Sequence, residues 1–106
     1  MSIVYALATP PVKSAICVFR VSGQDCLRFL PELFSSKLDE PRYFYKTEMY
    51  SRGFFVDSVA VVFFKGPKSF TGEDGFEVYA HGGLAVMSKI VEAFTDLGFQ
   101  EAGPGE

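Results

Sequence analysis

The sequence predicts an α+β domain in which a mixed or antiparallel sheet of about five strands carries two or three helices. Three observations lead there. Several segments rich in β-branched and aromatic residues are separated by Gly, Pro and polar breaks. Only one long segment, Gly83 to Leu97, repeats its apolar residues at helical spacing. The order β-β-α-β-β-β-α lacks the strict strand–helix alternation that builds a parallel sheet.

Each element has a local cause. Ile3 to Ala8 reads as a strand, broken by Thr9-Pro10-Pro11 because proline removes a donor and restricts the residue before it. Ala15 to Val21 is apolar on both faces apart from Arg20, the pattern of an interior strand in a covered sheet. Ser22 followed by Asp25 reads as a capping box opening a short helix, with Leu27 and Leu30 inward and Pro31 ending it or starting a new turn. Tyr43 to Tyr50 and Phe54 to Phe64 form a hairpin around Ser51-Arg52-Gly53, with Gly53 free to take a positive φ. "KGPKSFTGED" is a loop, Phe76 to Ala80 a strand, and Gly98 a cap for the final helix.

With 106 residues, 48% hydrophobic content and twelve Phe, the chain fits one domain with a core of its own. Its net charge of -3 and scattered basic residues argue against a broad basic face for nucleic acid. Cys17 and Cys26 have neither a CxxC spacing nor a nearby histidine, so they read as buried structural thiols. There is no membrane-length apolar run and no visible leader, so a cytoplasmic setting is expected. The abrupt "FQEAGPGE" ending suggests a piece of a longer protein.

Chemistry concentrates in two charges. Arg20 and Glu77 each stand in an otherwise apolar strand, and a buried charge must pair or face a wet cleft. Two readings stay open: a structural ion bridge, or a ligand cleft. In the second, the carboxylate accepts two hydrogen bonds from an amino-heterocycle and the arginine holds an anionic or carbonyl oxygen. His81-Gly82-Gly83 reads as a tight strand-to-helix turn whose free N–H groups suit an anion. An esterase reading of His81 fails without a G-x-S-x-G segment, and Ser69 has no elbow context. Glu73, Asp74 and His81 lack the further ligand a metal site requires. "GPKS" at Gly66 to Ser69 is no P-loop, since Val61 stands where its first glycine belongs.

"IVYALATPP", "FRVSG", "SFTGED", Glu77-Val78-Tyr79-Ala80-His81-Gly82-Gly83 and "PGE" occur in that order. Together they resemble the N-terminal domain of the tRNA-modification GTPase family known as MnmE or TrmE. The resemblance covers nearly the whole chain. It implies a folate-binding-module-like fold over residues 1–106 that dimerises and holds a tetrahydrofolate derivative, in a 5-formyl or methylene form, as one-carbon donor. It implies helical and GTPase domains outside this chain, the latter using GTP, Mg and K. With a flavin-dependent partner, MnmG or GidA, such proteins modify C5 of the wobble uridine in certain tRNAs. Arg20 matches the arginine of the family's R-[IV]-S-G and Glu77 the acid beyond TGED, both folate contacts; a further basic contact lies beyond "PGE". No catalytic residue and no metal ligand is implied within the chain. The alternative is a dimerisation scaffold without folate. Two departures stand out: Val12-Lys13-Ser14 replaces the usual Gly-Arg-Gly, and Gly75 stands where a branched apolar residue is common, which should weaken the strand's start.

Overall fold

A computed structural model of the chain describes residues 2–67 and 72–102. Ser69, the Phe70-Thr71 part of "SFTGED" and the "PGE" ending lie outside the described residues. The strands are β1 (Val4–Leu7), β2 (Ile16–Ser22), β3 (Tyr45–Ser51), β4 (Phe54–Phe64), β5 (Gly75–His81) and β6 (Gln100–Glu101). They lie in one sheet in the order β3-β4-β5-β2-β1-β6. All neighbours are antiparallel except β1 and β6. The expected α+β class with a mixed sheet is therefore present, with six strands among the described residues in place of about five.

The sixth strand arises from the end of the long helix, α2 (Leu84–Asp96). Gly98, at φ 88°, takes the left-handed turn that glycine tolerates. Gly98 N–H donates to Thr95 O and Phe99 N–H to Phe94 O, the two bonds of a Schellman motif. The chain then runs beside β1, with Gln100 N–H donating to Ile3 O and Ala102 N–H to Tyr5 O. Two exposed residues are too few to carry a strand pattern, so this pairing has no sequence signature.

Helices cover one face of the sheet. A 3-10 turn at Cys26–Phe29 leads into α1 (Leu30–Leu33), where Pro31 sits in the first turn and starts the new helix. The expected capping box is absent: no side chain caps the turn, and Asp25 itself is left-handed at φ 66°. Ser22 is instead the last residue of β2, opposite Val4 on one side and Gly75 on the other. Two ladders hold it extended, and Gly23 and Asp25 make the turn.

From α2, Met87, Ile90, Ala93 and Phe94 are buried against the sheet. Phe94 is the centre of an aromatic group, with ring centroids 5.4 Å from Tyr5, 5.9 Å from Phe19, 6.4 Å from Phe76 and 5.6 Å from Phe99. Phe34, just past α1, packs edge-on to Phe76 at 6.1 Å, so both helical segments share one core. Full burial of such side chains stabilises the fold by roughly 1.5–3 kcal/mol each.

The β3–β4 hairpin turns through Arg52 and Gly53, both at positive φ. Two positive φ values match the right-handed twist of the flanking strands. Tyr43 and Phe44 precede β3 instead of opening it. Arg42 N–H donates to Phe63 O, and this carries the segment across the sheet so that the Phe44 ring packs on Tyr79 at 5.3 Å. β2 is interior in the sheet, yet it is not covered on both faces as its apolar pattern suggested. Away from the helices, Ile16 is exposed and Val18 only half-buried. Gly75 is buried, and a Cβ there would stand 2.9 Å from Val21 O, so the bare backbone serves close strand contact.

Both cysteines are free and fully buried, as expected. Burial, reinforced by the nearby Asp74 charge, pushes the Cys26 thiol up to about 12. Burial, with Asp57 adding to it, raises that of Cys17. The neutral thiol is the form the fold favours. Its stabilising effect is present below the ordinary thiol range and fades as pH rises toward the raised values. At neutral pH, a thiol reagent should therefore leave both cysteines of the native chain unlabelled and modify both once urea unfolds it. Rapid labelling of native protein would contradict this packing.

Candidate functional site

The face of the sheet opposite the helices holds both charges. Antiparallel pairing sets Arg20 directly across from Glu77, with Ala6 beyond Arg20 and Val62 beyond Glu77. Directly opposed residues share a face, so the ladder alone brings the two side chains together. Arg20 Nε donates to Glu77 Oε2 over 2.7 Å, and Tyr79 Oη donates to Glu77 Oε1 over 2.8 Å.

The pair is asymmetric. The Arg20 side chain is 63% exposed and that of Glu77 only 9%. Every oxygen of the buried carboxylate has a protein donor, and no buried side-chain nitrogen or oxygen among the described residues lacks a partner. Each carboxylate oxygen still has a second lone pair. On Arg20 only Nε is engaged among the described residues, which leaves the outer edge of the guanidinium toward solvent. The arrangement can receive two N–H groups at the carboxylate and an oxygen at the guanidinium.

The sequence alone does not mark Tyr79, because a tyrosine in a strand reads as ordinary sheet surface. Burial raises its phenol above the usual range, the hydrogen bond and charge of Glu77 add to this, and Arg20 opposes it. The neutral phenol therefore contributes stability below about pH 10, and that contribution is lost as pH rises through its raised value. In an alkaline absorbance titration, Tyr79→Phe should remove one late-ionising tyrosine and leave Tyr5, which burial and Glu101 also raise. An unchanged late phase would show that Tyr79 titrates normally.

His81 ends β5 on the same face. Its Nδ1 lies 3.0 and 2.9 Å from the two oxygens of Asp57, and its backbone N–H donates to Asp57 Oδ2 over 2.9 Å. The β4–β5 ladder runs only as far as Ala60 and Tyr79, so the Asp57 carboxylate takes the N–H that a longer ladder would have bonded. Asp57 carried a readable signal, a charge inside the apolar run Phe54–Phe64, of the same kind that marked Arg20 and Glu77.

Gly82 and Gly83 form the tight strand-to-helix turn expected of them, between His81 at the end of β5 and Leu84 at the start of α2, but the need for glycine has a different physical basis. Gly82 and Gly83 do not take positive φ; Gly83 is extended at φ -74° and caps α2 without a side-chain bond. Gly82 is small because the 8–15 segment presses on it. Ser14 N–H donates to Gly82 O, Gly82 N–H donates to Ala15 O, and a Cβ at Gly82 would stand 2.4 Å from Ser14 O. Among the described residues, no three His, Cys, Asp or Glu side chains converge as metal ligands. Glu73 and Asp74 precede β5 and His81 closes it, so a strand of about 20 Å separates them. No helix of the described residues is long and apolar enough to cross a membrane.

Residues 3–106 match the family described as "GTP-binding protein TrmE N-terminus". Over 107 residues the chain is 44% identical to the tRNA modification GTPase MnmE of Neorickettsia sennetsu, covering 100% of this chain and 19% of that protein. It is 39% identical over 107 residues to the protein of the same name from Thermotoga petrophila, covering 100% of this chain and 24% of the relative. It is 40% identical over 101 residues to that of Helicobacter pylori strain Shi470, covering 95% of this chain and 22% of the relative. The chain thus spans between 19% and 24% of the length of these relatives. On a match that runs from Ile3 to Glu106, it belongs to the TrmE N-terminal domain family.

Proposed function

We propose that this domain binds a tetrahydrofolate one-carbon donor, in its 5-formyl or methylene form, on the open face of its sheet. In this reading it also joins two copies of a tRNA-modifying GTPase. The observation that carries the proposal is the Arg20–Glu77–Tyr79 cluster: a nearly buried carboxylate beside a half-free guanidinium, set on a face that no helix among the described residues covers. The carboxylate would take the ring N–H and exocyclic amine of the pterin, and Arg20 a carbonyl oxygen. The flavin-dependent partner MnmG (GidA), the tRNA, and GTP with Mg and K would act through the larger protein in a cytoplasmic complex. The relatives' names support the tRNA-modifying setting.

Calorimetry of the full-length protein with 5-formyltetrahydrofolate should show affinity falling about 10- to 100-fold in Glu77→Ala, the range expected for a hydrogen bond to a charged group. Equal affinity in wild type and variant would overturn the site. One observation favours a second reading, a scaffold without folate: Arg20 and Glu77 already satisfy each other at 2.7 Å. A chain that sediments as a dimer yet takes up no folate would establish that reading instead.

A further inference from the structure

A carboxylate receives two parallel N–H groups most tightly when its plane is set before they arrive. Two donors set the plane of Glu77. Arg20, directly across on β2, donates through Nε to Oε2 over 2.7 Å. Tyr79, two residues further along β5, donates through its hydroxyl to Oε1 over 2.8 Å. Each oxygen keeps a second lone pair for a ligand. Turning the carboxylate about its Cγ–Cδ bond would stretch both bonds.

The two donors differ in stiffness. The Arg20 side chain is 63% exposed, and a long exposed side chain has many rotamers open to it. Tyrosine has few torsions to fix. The Tyr79 backbone is also paired on both sides, with Val18 of β2 and Ala60 of β4. Its ring has one aromatic neighbour among the described residues, Phe44, edge-on at 5.3 Å. The ring otherwise borders an open hollow of about 580 Å³ over Ser58 and Ala60, which gives it no support from that side. Phe44 itself stands before β3 and is held there by the bond from Arg42 N–H to Phe63 O.

These contacts form a line from Phe44 through the Tyr79 ring and hydroxyl to Oε1 of Glu77. We infer that Tyr79 is the positioning residue of the heterocycle site: its hydroxyl orients the Glu77 carboxylate for two-point recognition, and Phe44 holds the ring that carries it. This deepens the folate reading above and rests on it.

Calorimetry of the full-length protein with two ligands tests the inference. 5-Formyltetrahydrofolate presents a ring N–H and an exocyclic amine; its 2-desamino analogue presents the ring N–H alone. Tyr79→Phe keeps the ring and removes the hydroxyl. It should weaken the first ligand about three- to tenfold, because the carboxylate must then be ordered on binding, and the analogue less than about twofold. Phe44→Ala should cause part of the same loss in the wild-type background and no loss in Tyr79→Phe, since it acts through the hydroxyl. Equal weakening of both ligands by Tyr79→Phe, or unchanged affinity, would overturn the inference. Tighter binding would also overturn it, by marking the hydroxyl as a competitor for Oε1. An undiminished Phe44→Ala loss in the Tyr79→Phe background would remove Phe44 from the line. Glu77→Ala separates the two readings. If it weakens 5-formyltetrahydrofolate while Tyr79→Phe does not, only the positioning role falls; if it changes nothing, the heterocycle site falls with it. Matching thermal unfolding of the variants would show that the affinity changes are local.

Discussion

Phe94→Ala is expected to lower the stability of the fold by about 3–5 kcal/mol, the range for truncating a buried aromatic that leaves a cavity. Phe94 is fully buried and its ring meets those of Tyr5, Phe19, Phe76 and Phe99. These neighbours come from β1, β2, β5 and the turn after α2, so no single element can collapse into the space. The Phe94 carbonyl also accepts the Phe99 N–H of the turn that delivers β6 to β1. Loosening the ring therefore loosens the edge of the sheet as well. A urea titration should show a lower midpoint with an unchanged slope, and Phe94→Leu should cost much less. A loss below about 1 kcal/mol for the alanine variant would mean that the core repacks and that Phe94 is not its centre.

Gly82→Ala should destabilise by about 2–3 kcal/mol, a steric effect of overpacking. The new Cβ would lie 2.4 Å from both Ser14 O and Ser14 Oγ and 2.8 Å from Ser14 C. Backbone cannot step aside as a flexible side chain can. Relief requires opening the two bonds that join Gly82 to Ser14 and Ala15. The neighbouring glycine is the control. Gly83 has nothing within 4 Å of its missing Cβ and an ordinary φ of -74°, so Gly83→Ala should cost only what alanine costs as the N-cap of α2, about 1 kcal/mol or less. Equal costs at the two positions would show that chain flexibility, and not contact with Ser14, is what requires glycine there.

The same pair of glycines shows how far residues alone could be read. They indicate a tight turn between a strand and a helix, and that turn is there, but turn geometry is not what excludes a side chain at Gly82. The true cause is a segment distant in sequence pressing on Gly82, and no local pattern records that. The capping box at Ser22 and Asp25 failed in a similar way. Its residues suit a helix start, yet two flanking ladders hold Ser22 in the sheet. Tyr79 carries no mark in the sequence because a polar residue on a strand surface is unexceptional until its cross-strand neighbours are known. Asp57 is different: it stood out against its apolar run and could have been found.

By itself the sequence determined the fold class, five of the six strands, the long helix with Gly98 at its end, the two buried thiols, and the two charges that cannot sit alone in apolar strands. These are local or periodic properties, set by propensity, pattern and the cost of burying charge. Tertiary structure alone decided which residues face one another. It placed Arg20 across from Glu77, set Tyr79 against the carboxylate, opened a hollow over Ala60 and Ser58, and added β6 beside β1. Register is a relation between segments far apart in the chain, fixed by which faces bury together.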